Sequence, residues 1–65
     1  MNNDELKSAL FEPRPVEHNG IIYKRVSAII YRNKGGALSI SAEVQDMKSN
    51  SVCIVEAEKL KEVLT

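Results

Sequence analysis

The most regular pattern in the chain runs from Leu38 to Gln45. Leu38, Ile40, Ala42 and Val44 are apolar, and Ser39, Ser41, Glu43 and Gln45 are polar. This period of two predicts a half-buried antiparallel strand with the even positions inside. Upstream, Val16 to His18 and Ile21 to Tyr23 flank Asn19-Gly20, the dipeptide favoured in two-residue hairpin turns. Apolar β-formers continue to Arg32, but their parity changes: Ile21 and Tyr23 are odd, Val26, Ala28 and Ile30 even. An extra residue near Lys24-Arg25, a bulge or sharp bend, reconciles the two halves. Asn33-Lys34-Gly35-Gly36 reads as a turn. Pairing the even faces across it requires an odd loop, of three residues with Gly35 or Gly36 left-handed. Asp46 to Asn50 reads as the next turn, with Asn50 its left-handed residue. Ser51 to Val55 is then the last strand, with Val52 and Ile54 inside. Cys53 and Val55 share the other face with Ile29 and Tyr31.

The ends carry a period near four. Asn2 and Glu5 form a capping-box pattern, and Leu6, Ala9 and Leu10 line one side of a helix over 2–11, with Phe11 at its end. Pro13 and Pro15 stop it and make a stiff joint around Arg14. Residues 56–64 read as a closing helix, with Glu56 and Glu58 early, Lys59 and Lys61 late, and Leu60, Val63 and Leu64 as its stripe. The expected fold class is α+β in a single domain over 1–65: an antiparallel meander of three or four strands over 16–55, flanked by a short helix at each end. An SH3-like small barrel is the alternative, because such barrels also begin with a hairpin, a long bent strand and a meander.

Composition narrows the function classes. The 65 residues include nine basic and nine acidic side chains, a formal charge of zero. That excludes a histone-like binder and an acidic disordered tail. One cysteine and one histidine are too few for a structural zinc site. No apolar run approaches the roughly 18 residues of a membrane span, and the polar, acidic start is unlike a signal peptide. The chain is therefore expected to be cytoplasmic, with no membrane partner and no cofactor. A chain this short supports only about 3–5 kcal/mol from one core. The two apolar sheet faces and the stiff proline joint favour a homodimer in which the N-terminal helix reaches across to a second copy.

No catalytic constellation is visible. Cys53, flanked by Val52 and Ile54, is expected to be a buried, unreactive strand residue. His18 sits beside a turn, and Ser39 and Ser41 are the outward positions of an alternating strand. Lys34-Gly35-Gly36 lacks the spacing of a phosphate loop. The chain is read as a non-enzyme.

Charge is unevenly distributed. Residues 14–34 hold five basic side chains against Glu17 alone, a net of +4, whereas each flank carries −2. Arg14, Lys24, Arg25, Arg32 and Lys34, with Tyr31, are the candidate partner-binding residues. They fit an acidic protein surface or, as the alternative, a nucleic acid or nucleotide, with Tyr23 and Tyr31 available for stacking. The stretches Asn19 to Val26, Ala28 to Arg32 and Ala42 to Asp46 resemble small uncharacterised proteins of phages and prophages of Gram-positive bacteria, over residues 16–56. The resemblance implies a short accessory phage protein in the cytoplasm of a bacterial host cell and carries over no site residues. Many such proteins bind and block a host factor, including defence nucleases. The functional expectation is a protein-binding module, an inhibitor of a host protein.

Overall fold

Asn2 begins the helix as its side chain suggests. Its carboxamide oxygen accepts from the Glu5 amide at 2.8 Å, and the Glu5 carboxylate accepts from the Asn2 amide at 2.9 Å. This reciprocal pair satisfies donors that the first helical turn leaves free. In the computed structural model, which describes residues 1–63, α1 spans Asn3–Phe11. It is followed by β1 (Val16–His18), β2 (Ile21–Lys34), β3 (Ala37–Asp46), β4 (Val52–Glu56), a 3₁₀ turn (Ala57–Lys59) and β5 (Leu60–Glu62). The strands form one antiparallel sheet in the order β4-β3-β2-β1-β5.

The α+β class holds, with five strands in place of three or four and one α-helix in place of two among the described residues. The expected helix over 56–64 is replaced by the end of β4, a single 3₁₀ turn and β5; Leu64 lies outside the described residues. Two physical reasons account for this. Glu56 provides no side-chain cap for a longer helix. In addition, β1 has an open edge, and Leu60, Lys61 and Glu62 pair with His18, Glu17 and Val16 across it. Leu60 is thereby turned inward and fully buried.

Register explains the rest of the packing. Both hairpin turns have two residues, each with positive φ: Asn19 at 52° with Gly20 at 79°, and Gly35 at 59° with Gly36 at 88°. The second loop is thus even, and the expected odd loop is not used. Two irregularities in β2, at Lys24 and at Ser27, restore the parity. The first is the one the sequence predicts. The second lets Val26 face Val44 while Ile29 faces Ala42 and Tyr31 faces Ile40. Cross-strand partners share a face, so the inner face carries Val26, Ile29, Tyr31, Ile40, Ala42, Val44, Cys53 and Val55. Val52 and Ile54, expected inside, point out with Ala28 and Ile30. Asn50 is not left-handed; the β3–β4 turn is held instead by the Asp46 carboxylate, which accepts from the Ser49 amide and hydroxyl at 3.0 and 2.9 Å.

Among the described residues the core is Leu6, Ala9, Val16, Val26, Ala42, Val44, Val55, Ala57 and Leu60, nine in all. Leu6 and Ala9 bury themselves against β2 of their own chain, so the expected helix exchange is not seen. Arg14 fixes the helix in place. Its guanidinium donates to Glu62 at 2.8 Å and to the Ser8 hydroxyl at 3.1 Å, joining α1 to β5. At the other end of α1, the Met1 ammonium donates to the carbonyls of Ala57 and Leu60 at 2.8 and 2.6 Å.

With Leu60 among the largest core side chains, Leu60→Ala is expected to cost about 2–5 kcal/mol. That approaches the whole stability of about 3–5 kcal/mol typical of such a small core. Urea unfolding followed by circular dichroism checks it, and the exposed Leu38→Ala should stay within about 0.5 kcal/mol of the parent.

Candidate interaction surface

The β2–β3 hairpin outruns its neighbours. β4 pairs with β3 only from Ser41 to Gln45, and β1 pairs with β2 only as far as Tyr23. Tyr31 to Lys34 and Ala37 to Ile40 therefore have only each other and form a two-stranded arm. The molecule measures 37 Å along its long axis against 22 and 21 Å across it. Leu38, expected to be core, is 68% exposed because it sits on this arm beyond the reach of α1. Ile40 is half-buried, while Ala42 and Val44, farther down the same strand, are fully covered.

The arm has two chemically distinct faces. Tyr31, Ile40 and Leu38 lie on the inner face, with Asn33 opposite Leu38. Arg32, Ser39, Lys34 and Ala37 lie on the other. Tyr31 stays 47% exposed, and its hydroxyl donates to the Asn3 side chain at the start of α1. Asn33 caps the turn by accepting from the Gly36 amide at 2.9 Å. At the root of the arm, an open groove of about 440 Å³ lies between Asn2 and Asn3, Ser39 to Ser41, and Glu56 to Glu58, with Lys34 at its rim.

The structure divides the six candidate residues. Tyr31, Arg32 and Lys34 come together on the arm. Arg25 lies on the outer face farther down β2 and donates to Gln45 at 2.9 Å, and Lys24 is beside it at the bulge. Arg14 is at the opposite end of the molecule, engaged with Glu62. Sequence reasoning missed Leu38 as a surface residue. Its alternation with Ser39 looks identical whether or not anything covers the strand.

Tyr23, Asp46 and Cys53 occupy the inner face at the end away from the arm. Tyr23 faces Asp46, and Cys53 faces Val44. The Tyr23 phenol is pushed above its ordinary value by its hydrogen bond with Cys53 first, then by partial desolvation and by the charges of Cys53 and Asp46. The bonds from Ser49 lower the Asp46 carboxyl. Cys53 is exposed, contrary to the buried position expected for it, because β4 is a sheet edge that α1 does not cover. Among the described residues, no three His, Cys, Asp or Glu side chains converge as metal ligands, and no helix is long and apolar enough to cross a membrane. No family model, curated protein or solved structure matches the chain.

Two outcomes follow from this geometry. Cys53 should react stoichiometrically with a thiol reagent without denaturant, read by mass spectrometry. Asp46, lowered in the folded state, stabilises the fold fully above its unfolded pKa near 4, and that contribution is lost as pH falls through the lower folded value. Asp46→Ala should therefore lower Tm at neutral pH and narrow the Tm difference between neutral and acid solution, measured by thermal melts.

Proposed function

We propose that the chain is a non-enzymatic protein-binding module on an SH3-like small barrel left open between β4 and β5. The strand order, the long bent second strand and the 3₁₀ turn before the last strand support that architecture. One observation carries the functional reading. Among the described residues, six of the nine in the core are larger than alanine, whereas eight large hydrophobic side chains are exposed, Leu38 and Tyr31 among them on a projecting arm. An exposed aromatic–aliphatic pair with arginine and lysine behind it has the composition of an interface centre with a charged rim. The partner it fits is a protein with an apolar cleft and acidic margins. The resemblance to phage accessory proteins makes a host protein, such as a defence nuclease, the target class to test first.

A nucleic acid would meet a different surface. Arg25, Arg32 and Lys34 share the outer face of β2, but Glu43 and Glu56 lie on that same face. Leu38→Asp should abolish capture of the host target while Arg32→Ala weakens it only in part, as read by quantitative pull-down and calorimetry. Oligonucleotide binding that collapses by about 10³-fold between low and moderate salt, unaffected by Leu38→Asp, would overturn the reading.

A further inference from the structure

The chain has five asparagines, and four of them have the side-chain oxygen engaged. Asn2 accepts from the Glu5 amide, Asn3 from the Tyr31 hydroxyl, Asn33 from the Gly36 amide and Asn50 from the Gln45 carboxamide. Among the described residues Asn19 alone has no such partner. It lies inside its hairpin loop with φ at 52°, a left-handed conformation that asparagine tolerates, and both it and Gly20 are exposed.

An asparagine side chain can be attacked by the backbone nitrogen of the next residue, and a side chain on that residue shields the nitrogen. Asn2, Asn3, Asn33 and Asn50 are followed by Asn3, Asp4, Lys34 and Ser51. Two of those positions are further committed: the Ser51 amide donates to the Ser49 hydroxyl at 3.3 Å, and Lys34 closes the second hairpin opposite Ala37. Gly20 has no side chain, and a Cβ built there would meet nothing within 4 Å. Its amide lies in the loop between the paired His18 and Ile21, outside the ladder.

We propose that Asn19-Gly20 is a self-modification site, at which Asn19 deamidates spontaneously and the isoaspartyl product uncouples β1 from β2. The Gly20 nitrogen gives its proton to solvent base and bonds to Cγ of Asn19. The bond from Cγ to the side-chain nitrogen breaks, and that nitrogen takes a proton from water and leaves as ammonia. Water then opens the five-membered succinimide. Cleavage between Cγ and the Gly20 nitrogen gives aspartate; cleavage between the Asn19 main-chain carbonyl carbon and that nitrogen gives isoaspartate. In sum one water is consumed and one ammonia released, with no oxidation or reduction.

The two products act differently on the fold. Asp-Gly is itself favoured in this turn, so aspartate keeps the hairpin and adds a negative charge. Isoaspartate routes the main chain through the side-chain carbons and lengthens it by one methylene. Loop length sets hairpin register, and β1 pairs with β2 only through Val16, Glu17 and His18. β1 is also the strand through which β5 joins the sheet. The longer loop therefore loosens both strands, and with them the seats of Val16 and Leu60 in the core. The site is separate from the arm, so this proposal and the binding reading can fail independently.

The test is to age the folded protein at mildly alkaline pH until a guanidinium-unfolded sample at the same pH has converted Asn19. Peptide mass spectrometry with electron-transfer fragmentation then separates aspartate from isoaspartate. Asn19 should be largely converted before Asn2, Asn3, Asn33 or Asn50 changes measurably, and faster as pH rises. The purified isoaspartyl form should melt below the parent and lose hydrogen-exchange protection in β1 and β5, while β2 and β3 keep theirs. The aspartyl form should match the parent. Asn19→Gly leaves a Gly-Gly loop of favoured type and should keep its Tm through the same ageing. Asn19 intact at the end, or another asparagine converted first, overturns the site. Conversion to aspartate alone, or an isoaspartyl form with the parent's exchange protection, overturns the uncoupling.

Discussion

Three residues govern this architecture. β4 and β5 lie at opposite ends of the pairing order, yet only Ala57–Lys59 connect them. A flat sheet would separate those strands by four spacings of about 4.8 Å, roughly 19 Å. A 3₁₀ turn of three residues advances only about 6 Å. The sheet must therefore curl until its ends approach. The irregularities at Lys24 and Ser27 provide the bend in β2. Curling creates an inside, and Leu60, Ala57 and Val55 fill it from the closing segment. α1 then has to cover only what the curl leaves open, and Leu6 and Ala9 suffice.

The same economy leaves much of the surface apolar. Among the described residues the core holds no aromatic side chain and is built from two leucines, four valines and three alanines. Phe11, Ile21, Ile22, Met47 and Ile54 remain substantially exposed. Scattered exposed hydrophobics are ordinary. Here Tyr31 and Leu38 are grouped on the projecting arm.

Legibility from the sequence followed the range of the interactions. The Asn2–Glu5 cap and the Asn19-Gly20 turn are decided within four residues, and both are as the sequence reads. The bulge at Lys24 was legible because parity failed inside a single strand. The one at Ser27 was not, since an odd loop would have balanced the register equally well. Leu60 was misplaced in a helix because its β1 partner lies 42 positions earlier, beyond any local pattern. Cys53 was misread for a related reason: apolar neighbours say that a strand is suited to burial, and only topology says whether it is an edge. Of the candidate residues, the arm cluster of Tyr31, Arg32 and Lys34 was visible as a charge excess. Arg14 belonged to the same excess but serves to hold α1 against β5.

The bonds from the Met1 ammonium to Ala57 and Leu60 span 56 and 59 positions, and their consequence is temporal. The β2–β3 hairpin, closed by two glycines, can form on a microsecond scale from neighbouring residues alone. The seal between α1, the 3₁₀ turn and β5 joins segments from opposite ends of the sequence, a costly loop to close in an open chain. Once the hairpins have folded the intervening strands back on themselves, the two ends are already near each other. The sequence separation of these contacts favours a folding order from the middle outward, with the helix and the last strand captured late.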